Sequence, residues 1–186
     1  DSKADKMILK PLNGYGGSGV ILIEKSAMKN INSLLEFYIT NSDGSFNYVI
    51  LQEYVEGAEK GDIRILLLNG EPIGAVRRVP DAKDHRSNLS AGGTYQKHSL
   101  TKHELNICKK IGPKLIKDGL FFVGIDVING KLIEVNVMSP GGVVPVNKMN
   151  KTKVQRKVVD FIEEKVDDML FKIHRRSKLR SEVQDS

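Results

Sequence analysis

The chain has 186 residues, 40% apolar, 28% charged and 6% aromatic, enough to bury a core and too apolar to be disordered. No apolar run approaches bilayer length, residues 1–6 are too polar for a signal peptide, and Cys108 alone excludes a disulfide framework, so a cytoplasmic setting is expected. A net charge of +6 suits anionic partners, whether phosphates, acidic small molecules or nucleic acid, while four scattered histidines lack zinc-ligand spacing.

Asp1 opens the chain without a methionine and a strand follows almost at once, so we expect the later part of a longer protein. Residues 7–9 read as a short apolar strand ending at Lys10-Pro11, followed by a glycine-rich loop (residues 13–19) and a second strand at 20–23. Such a loop is either a plain flexible turn or a cradle of backbone N–H groups for an anion, with Lys10 adding charge at its mouth. Ser26 can cap a helix with apolar positions Met28, Ile31, Leu34, Leu35 and Tyr38. Residues 48–55, YVILQEYV, alternate as a strand. Its end, Gln52-Glu53-Tyr54-Val55, is a solvated sheet edge or a place where main-chain groups meet an adenine ring.

The run GDIR opens a strand, and Asn69-Gly70 turns it back through EPIGAVRRVP, a strong hairpin signal. Asp62 at the strand mouth is a turn residue or an acceptor for ribose hydroxyls. The following loop carries Arg86 and Asn88, and its arginines are an exposed basic surface or forks for carboxylate and phosphate. Thr101 and Glu104 form a capping box for a helix from 102 to about 117 whose core stripe includes Cys108. Residues 143–152 read as irregular, and Val158, Ile162, Val166 and Leu170 mark one terminal helix. Beyond His174 we expect a loose basic tail.

The stretch that organises the rest is GIDVINGKLIEVNVMSP (residues 124–140). Alternation along strands puts Ile125 and Val127 opposite in sense to Asp126, and Ile133, Val135 and Val137 opposite to Glu134 and Asn136. A three-residue loop ending at Gly130, with a bulge, pairs Asp126 with Leu132 and brings Glu134 diagonally beside it. Two carboxylates and an amide oxygen are then either a charged solvent face or a nest for a hard divalent cation such as Mg²⁺.

Five runs carry a resemblance: ILKPLNGYGGSG, QEYVEG, GDIR, RRVPDAKDHRSNLSAGG, and IGPKL followed by GLFFVGIDVINGKLIEVNVMSP. In that order, over most of residues 6–140, they resemble the ATP-grasp fold and within it the C-terminal half of prokaryotic glutathione synthetases. The resemblance implies an α+β architecture of antiparallel sheets with flanking helices. A small lobe at 1–55 would carry the glycine-rich lid, a large lobe at 56–174 the metal site and terminal helix, and 175–186 a basic flexible tail. The family's N-terminal domain and an earlier nucleotide-binding lysine are not in the sequence.

Carried over by position, the resemblance implies that Lys10 binds ATP phosphates beneath a lid that includes Gly14, Gly16, Gly17, Ser18 and Gly19. Gln52, Glu53, Tyr54 and Val55 would hold adenine and Asp62 the ribose. Asp126, Glu134 and Asn136 would carry Mg²⁺, with Mn²⁺ as an alternative ion, and Arg78, Arg86 and Asn88 would act at the transferring phosphoryl group or the peptide substrate. The implied enzyme is an ATP-dependent carboxylate–amine ligase joining γ-glutamylcysteine to glycine through an acyl phosphate. Gly141-Gly142 stands where better-known bacterial members have Thr-Cys, which leaves substrate identity less defined than the ATP site. Two other readings stay open: a ligase adding amino acids to a peptide or protein terminus, and a non-catalytic nucleotide-binding module. No aromatic residues interleave the basic ones, so no nucleic-acid partner is expected, and no membrane partner either. A homo-oligomer stays open.

Overall fold

Alternating strands joined by tight turns build two antiparallel sheets in the computed structural model, which describes residues 5–12, 17–40, 43–80 and 93–184. The smaller sheet has the order β2-β1-β3, with β1 at Lys6–Pro11, β2 at Ile21–Glu24 and β3 at Val49–Glu53. Leu9 and Ile23 are its buried residues. Register pairs Lys10 with Ile50 and Ile8 with Gln52, so Lys10 and Gln52 share one face. The helix expected after Ser26 starts later: Lys25–Asn30 is a 3₁₀ turn, and the α-helix, α1, is Ile31–Ile39.

The larger sheet has the order β6-β5-β4-β7-β8, all antiparallel, from β4 (Asp62–Leu68), β5 (Glu71–Val79), β6 (Thr94–Lys97), β7 (Phe122–Ile128) and β8 (Lys131–Asn136). Every residue of central β4 is buried because both faces of the sheet are covered. On one face Ile63, Ile65, Leu67, Val123, Ile125 and Val127 pack on Cys108 and Leu115 of α2 (Lys102–Lys117). The capping box that starts α2 is formed, with Thr101 Oγ1 accepting from the Glu104 amide at 3.2 Å and Glu104 Oε2 from the Thr101 amide at 2.8 Å.

Helix α2 presses closely on the β4–β5 turn, where a Cβ added to Gly112 would lie 2.7 Å from the Gly70 carbonyl oxygen. A turn carbonyl cannot step aside as a flexible side chain can. Gly112→Ala is therefore expected to lower the unfolding free energy by about 1–3 kcal/mol despite its better helix propensity, as read from urea denaturation.

On the opposite face Leu66 and Val76 pack against Val146 and Val154. Val146 belongs to α3 (Val143–Asn150), a helix where the sequence reads as irregular. β-Branched residues and Pro145 argue locally against helix, but proline is tolerated in a first turn, and burial of Val146 decides the matter. Asn147 then caps the next helix, its Oδ1 accepting from the Val154 amide at 2.8 Å.

That last helix, α4, runs Val154–Gln184, so the segment expected to be a loose tail continues as helix through 175–184. Phe161 packs on Phe121 with ring centres 5.7 Å apart, and the Lys165 ammonium lies 5.4 Å from each ring centre. Residues 166–178 are all exposed. Among the described residues no helix is long and apolar enough to cross a membrane.

The β7–β8 hairpin differs from expectation in its turn. Asn129 and Gly130 have φ of 46° and 73°, and Ile128 pairs with Lys131, which makes a two-residue turn of the type Asn-Gly favours. The irregularity lies further along: Val127 pairs with Leu132 and Asp126 with Glu134, leaving Ile133 as the extra residue of a bulge. Asp126 thus faces Glu134 directly rather than Leu132.

Candidate functional site

Strand register alone gathers a polar cluster at one end of the larger sheet. Asp62 pairs with Arg78, Arg64 with Asp126, Asp126 with Glu134 and Gly124 with Asn136. Cross-strand partners share a face, as do Asp62 and Arg64 two residues apart on β4. This is the face that carries Leu66, Val76, α3 and the start of α4 further along, so the polar cluster and an apolar core occupy two ends of one surface.

Two guanidinium forks hold the cluster. Arg64 Nε and Nη2 donate to Asp126 Oδ1 and Oδ2 at 2.5 and 2.9 Å, and its Nη1 donates to the Gly141 carbonyl at 2.7 Å. Arg78 Nε and Nη2 donate to Asp62 Oδ1 and Oδ2 at 2.6 and 2.7 Å, and Arg78 Nη2 also reaches Asp126 Oδ2 at 2.8 Å. Asn136 Nδ2 donates to the same Oδ2 at 3.3 Å. Asp62, Arg64 and Asp126 are buried, Arg78 nearly so, and no buried side-chain polar atom among the described residues lacks a partner.

Burial by itself would raise the Asp126 carboxyl, but the Arg78 charge and the Arg64 fork outweigh it and hold the group below the ordinary carboxylate range. Arg78 is the converse case: burial opposes its charge, and Asp62 and Asp126 restore it with a margin, so it stays a guanidinium cation. Two acids and two bases cancel within the buried part. Glu134, exposed beside them, leaves a net negative charge at the surface of the cluster.

The donor set suits a hard divalent cation. Asp126 Oδ2 carries three donors, whereas Oδ1 carries one among the described residues and keeps a lone pair. Glu134 and the Asn136 amide stand on the same face. Among the described residues no three His, Cys, Asp or Glu side chains are grouped so as to hold a metal ion by themselves.

Of the other residues singled out by sequence, Asp62 gives both carboxylate oxygens to Arg78, so the group expected to meet ribose is committed to an ion pair. Lys10 and Gln52 share a face of the smaller sheet, and Glu53 lies on its other face. Tyr54 donates its amide to the Lys6 carbonyl at 3.1 Å, and the Val55 carbonyl accepts from Ala58 at 3.2 Å. Gly17, Ser18 and Gly19 form a turn tied to α1 by the Tyr38 hydroxyl, which donates to the Gly19 carbonyl. Gly14, Gly16, Arg86 and Asn88 lie outside the described residues. Cys108 is core, as expected, with burial first and the charges of Glu104 and Glu71 second pushing its thiol up to about 11. The sequence reading missed Arg64, although its place two residues after Asp62 on a strand was the available signal.

With this geometry in place, comparison with known proteins gives a consistent picture. The family model described as prokaryotic glutathione synthetase, ATP-grasp domain, matches residues 1–151. A glutathione synthetase of Thermosynechococcus vestitus is 44% identical over 155 residues, 83% of this chain and 48% of that protein. One of Agrobacterium fabrum is 45% identical over 161 residues, 87% and 49% of the two chains. The chain thus spans about half the length of the curated relatives it matches. Among solved structures, D-cycloserine synthetase DcsG superposes with a TM-score of 0.60 at 17% identity, covering 74% of this chain and 49% of the other. An ATP complex of D-alanine–D-alanine ligase from Bacillus anthracis gives 0.54 at 15% identity, with 83% and 51% covered. At those identities the likeness establishes the fold.

Proposed function

The chain belongs to the prokaryotic glutathione synthetase ATP-grasp family, and from that premise we propose that it carries the ATP site of a ligase joining γ-glutamylcysteine to glycine. The observation that carries the reading is the placement of Asp126, Glu134 and Asn136 on one face of neighbouring strands β7 and β8, with Arg64 and Arg78 locked onto Asp126. A carboxylate is a poor electrophile. The reaction begins with attack of the γ-glutamylcysteine carboxylate oxygen on the γ-phosphorus of ATP, releasing ADP and forming an acyl phosphate. The glycine amine then adds to the acyl carbon, phosphate leaves with the electron pair of the C–O bond, and the nitrogen loses a proton.

Phosphoryl transfer of this kind depends on positioning and charge neutralisation rather than on a protein nucleophile. Asp126, Glu134 and Asn136 would hold Mg²⁺, which when bound neutralises phosphate charge. Mn²⁺ meets the same oxygen donors. Arg78, pinned by Asp62, presents a cation of fixed position, and Arg64 fixes the Asp126 carboxylate. Lys10 would meet the phosphates beneath the glycine turn of residues 14–19, Gln52 to Val55 the adenine, and Arg86 with Asn88 the transferring group or peptide. In this reading Asp62 serves Arg78 first and ribose second. The smaller sheet, within 1–55, acts as the lid lobe and the larger, within 56–174, as the metal-bearing lobe. The buried reduced thiol of Cys108 suits a cytoplasmic setting.

The test is phosphate release from Mg-ATP with γ-glutamylcysteine and glycine added separately and together, with the dipeptide's carboxylate carrying an isotopically labelled oxygen. Release that requires γ-glutamylcysteine, with label arriving in phosphate, is the expected result. Release indifferent to γ-glutamylcysteine, or label retained wholly in the peptide, rules the reading out.

A further inference from the structure

Helix α4 carries a second apolar stripe that no described residue of the chain covers. Val154, Val158, Phe161 and Lys165 turn toward the body of the molecule, where Phe161 meets Phe121. About a quarter turn round the helix run Val159, Ile162, Val166, Met169 and Ile173, spaced three and four residues apart in alternation. They are 50, 53, 47, 62 and 57% exposed. That spacing is the seam of a two-helix coiled coil. A lone helix standing in water does not gain from such a stripe; packing of an apolar face is what stabilises helices in proteins. The family match ends at residue 151, so this helix lies outside the part shared by that model.

Charge decides what fits. The segment 160–168 holds Asp160, Glu163, Glu164, Asp167 and Asp168, and the segment after it holds Lys172, Arg175 and Arg176. Parallel pairing of two copies would set acid on acid and base on base. Antiparallel pairing centred between Asp167 and Asp168 sets Val166 against Met169 and Ile162 against Ile173, and brings Asp160 level with Arg175 and Glu163 with Lys172. Like charges meet at Asp167 with Asp168 and at Lys157 with Lys178, all at positions that turn away from the seam, and Val159 at the seam's end lies level with Arg176.

We propose that α4 pairs with α4 of a second copy of this chain, antiparallel, through the Val159–Ile173 seam, giving a two-fold symmetric dimer. The proposal is independent of the ligase reading, because neither stripe nor charge blocks include any residue assigned to ATP.

Sedimentation equilibrium of the full chain tests it. The average mass is expected to rise with concentration from 20.7 kDa toward twice that value. Met169→Glu, at an exposed position where the fold is kept, is expected to weaken association at least about tenfold, with helical circular dichroism retained, because a charge cannot enter the seam unpaired. Orientation is read by disulfide trapping: chains carrying Ile162→Cys cross-link with chains carrying Ile173→Cys and not with each other. A mass of 20.7 kDa at every concentration, with or without binding to anionic vesicles, overturns the proposal. So does an unweakened Met169→Glu dimer, or self-cross-linking of Ile162→Cys in preference to the mixed pair.

Discussion

Asp126→Asn is expected to lower the unfolding free energy by about 3–5 kcal/mol, because it leaves Arg64 and Arg78 buried around a neutral amide. The Arg64 fork ends on this carboxylate, Arg78 Nη2 reaches it from a fork held on Asp62, and Arg64 has one other partner, the Gly141 carbonyl, among the described residues. The effect has a pH signature. The folded Asp126 carboxyl is held below its unfolded value of about 3.9, so its contribution is fully present above about pH 4 and is lost as pH falls through the folded value. Urea titrations should therefore show wild type and Asp126→Asn far apart at neutral pH and converging in acid. A constant gap down to the acid limit would mean that the aspartate acts through shape and not through charge.

On the proposed ligase reading, Glu134→Gln in the full-length enzyme is expected to behave in the opposite way, leaving stability within about 0.5 kcal/mol while Mg-ATP turnover falls by a factor of about 100 or more. Glu134 is exposed and sits at the rim of an ion-pair network that is complete without it. Its charge is the uncancelled one of the cluster, so an amide of the same shape removes attraction for a cation and little else. Magnesium-dependent turnover equal to wild type would take Glu134 out of the metal site. Read together, the two variants separate a carboxylate that builds the site from one that serves it.

The larger sheet was legible because its signals are local. Asn69-Gly70 and Asn129-Gly130 each mark a hairpin, and the apolar alternation along residues 124–136 requires one bulge, which brings Asp126 and Glu134 to one side. What escaped was set by distant parts of the chain. Arg64 looks like one more strand residue until β7 places Asp126 beside it. The bulge at Ile133 has no residue signature of its own, so the sequence points to the turn as its place. Helix α3 forms against local preference because Val146 fills the space above Leu66 and Gly74. The far end of α4 lacks apolar periodicity, yet its lysines, arginines and glutamate are good helix formers that let the helix propagate.

The skipped residue in β8 makes two neighbouring deletions opposite in outcome. Excision of Ile133 would restore an unbroken ladder from Lys131 onward and keep Glu134 across from Asp126. Excision of Val135, two places along, would change the frame of everything after it and carry Asn136 across to the surface beneath α2. Tolerance to shortening in this strand therefore depends on whether the bulge residue itself or a paired residue beyond it is lost, and it switches within three residues.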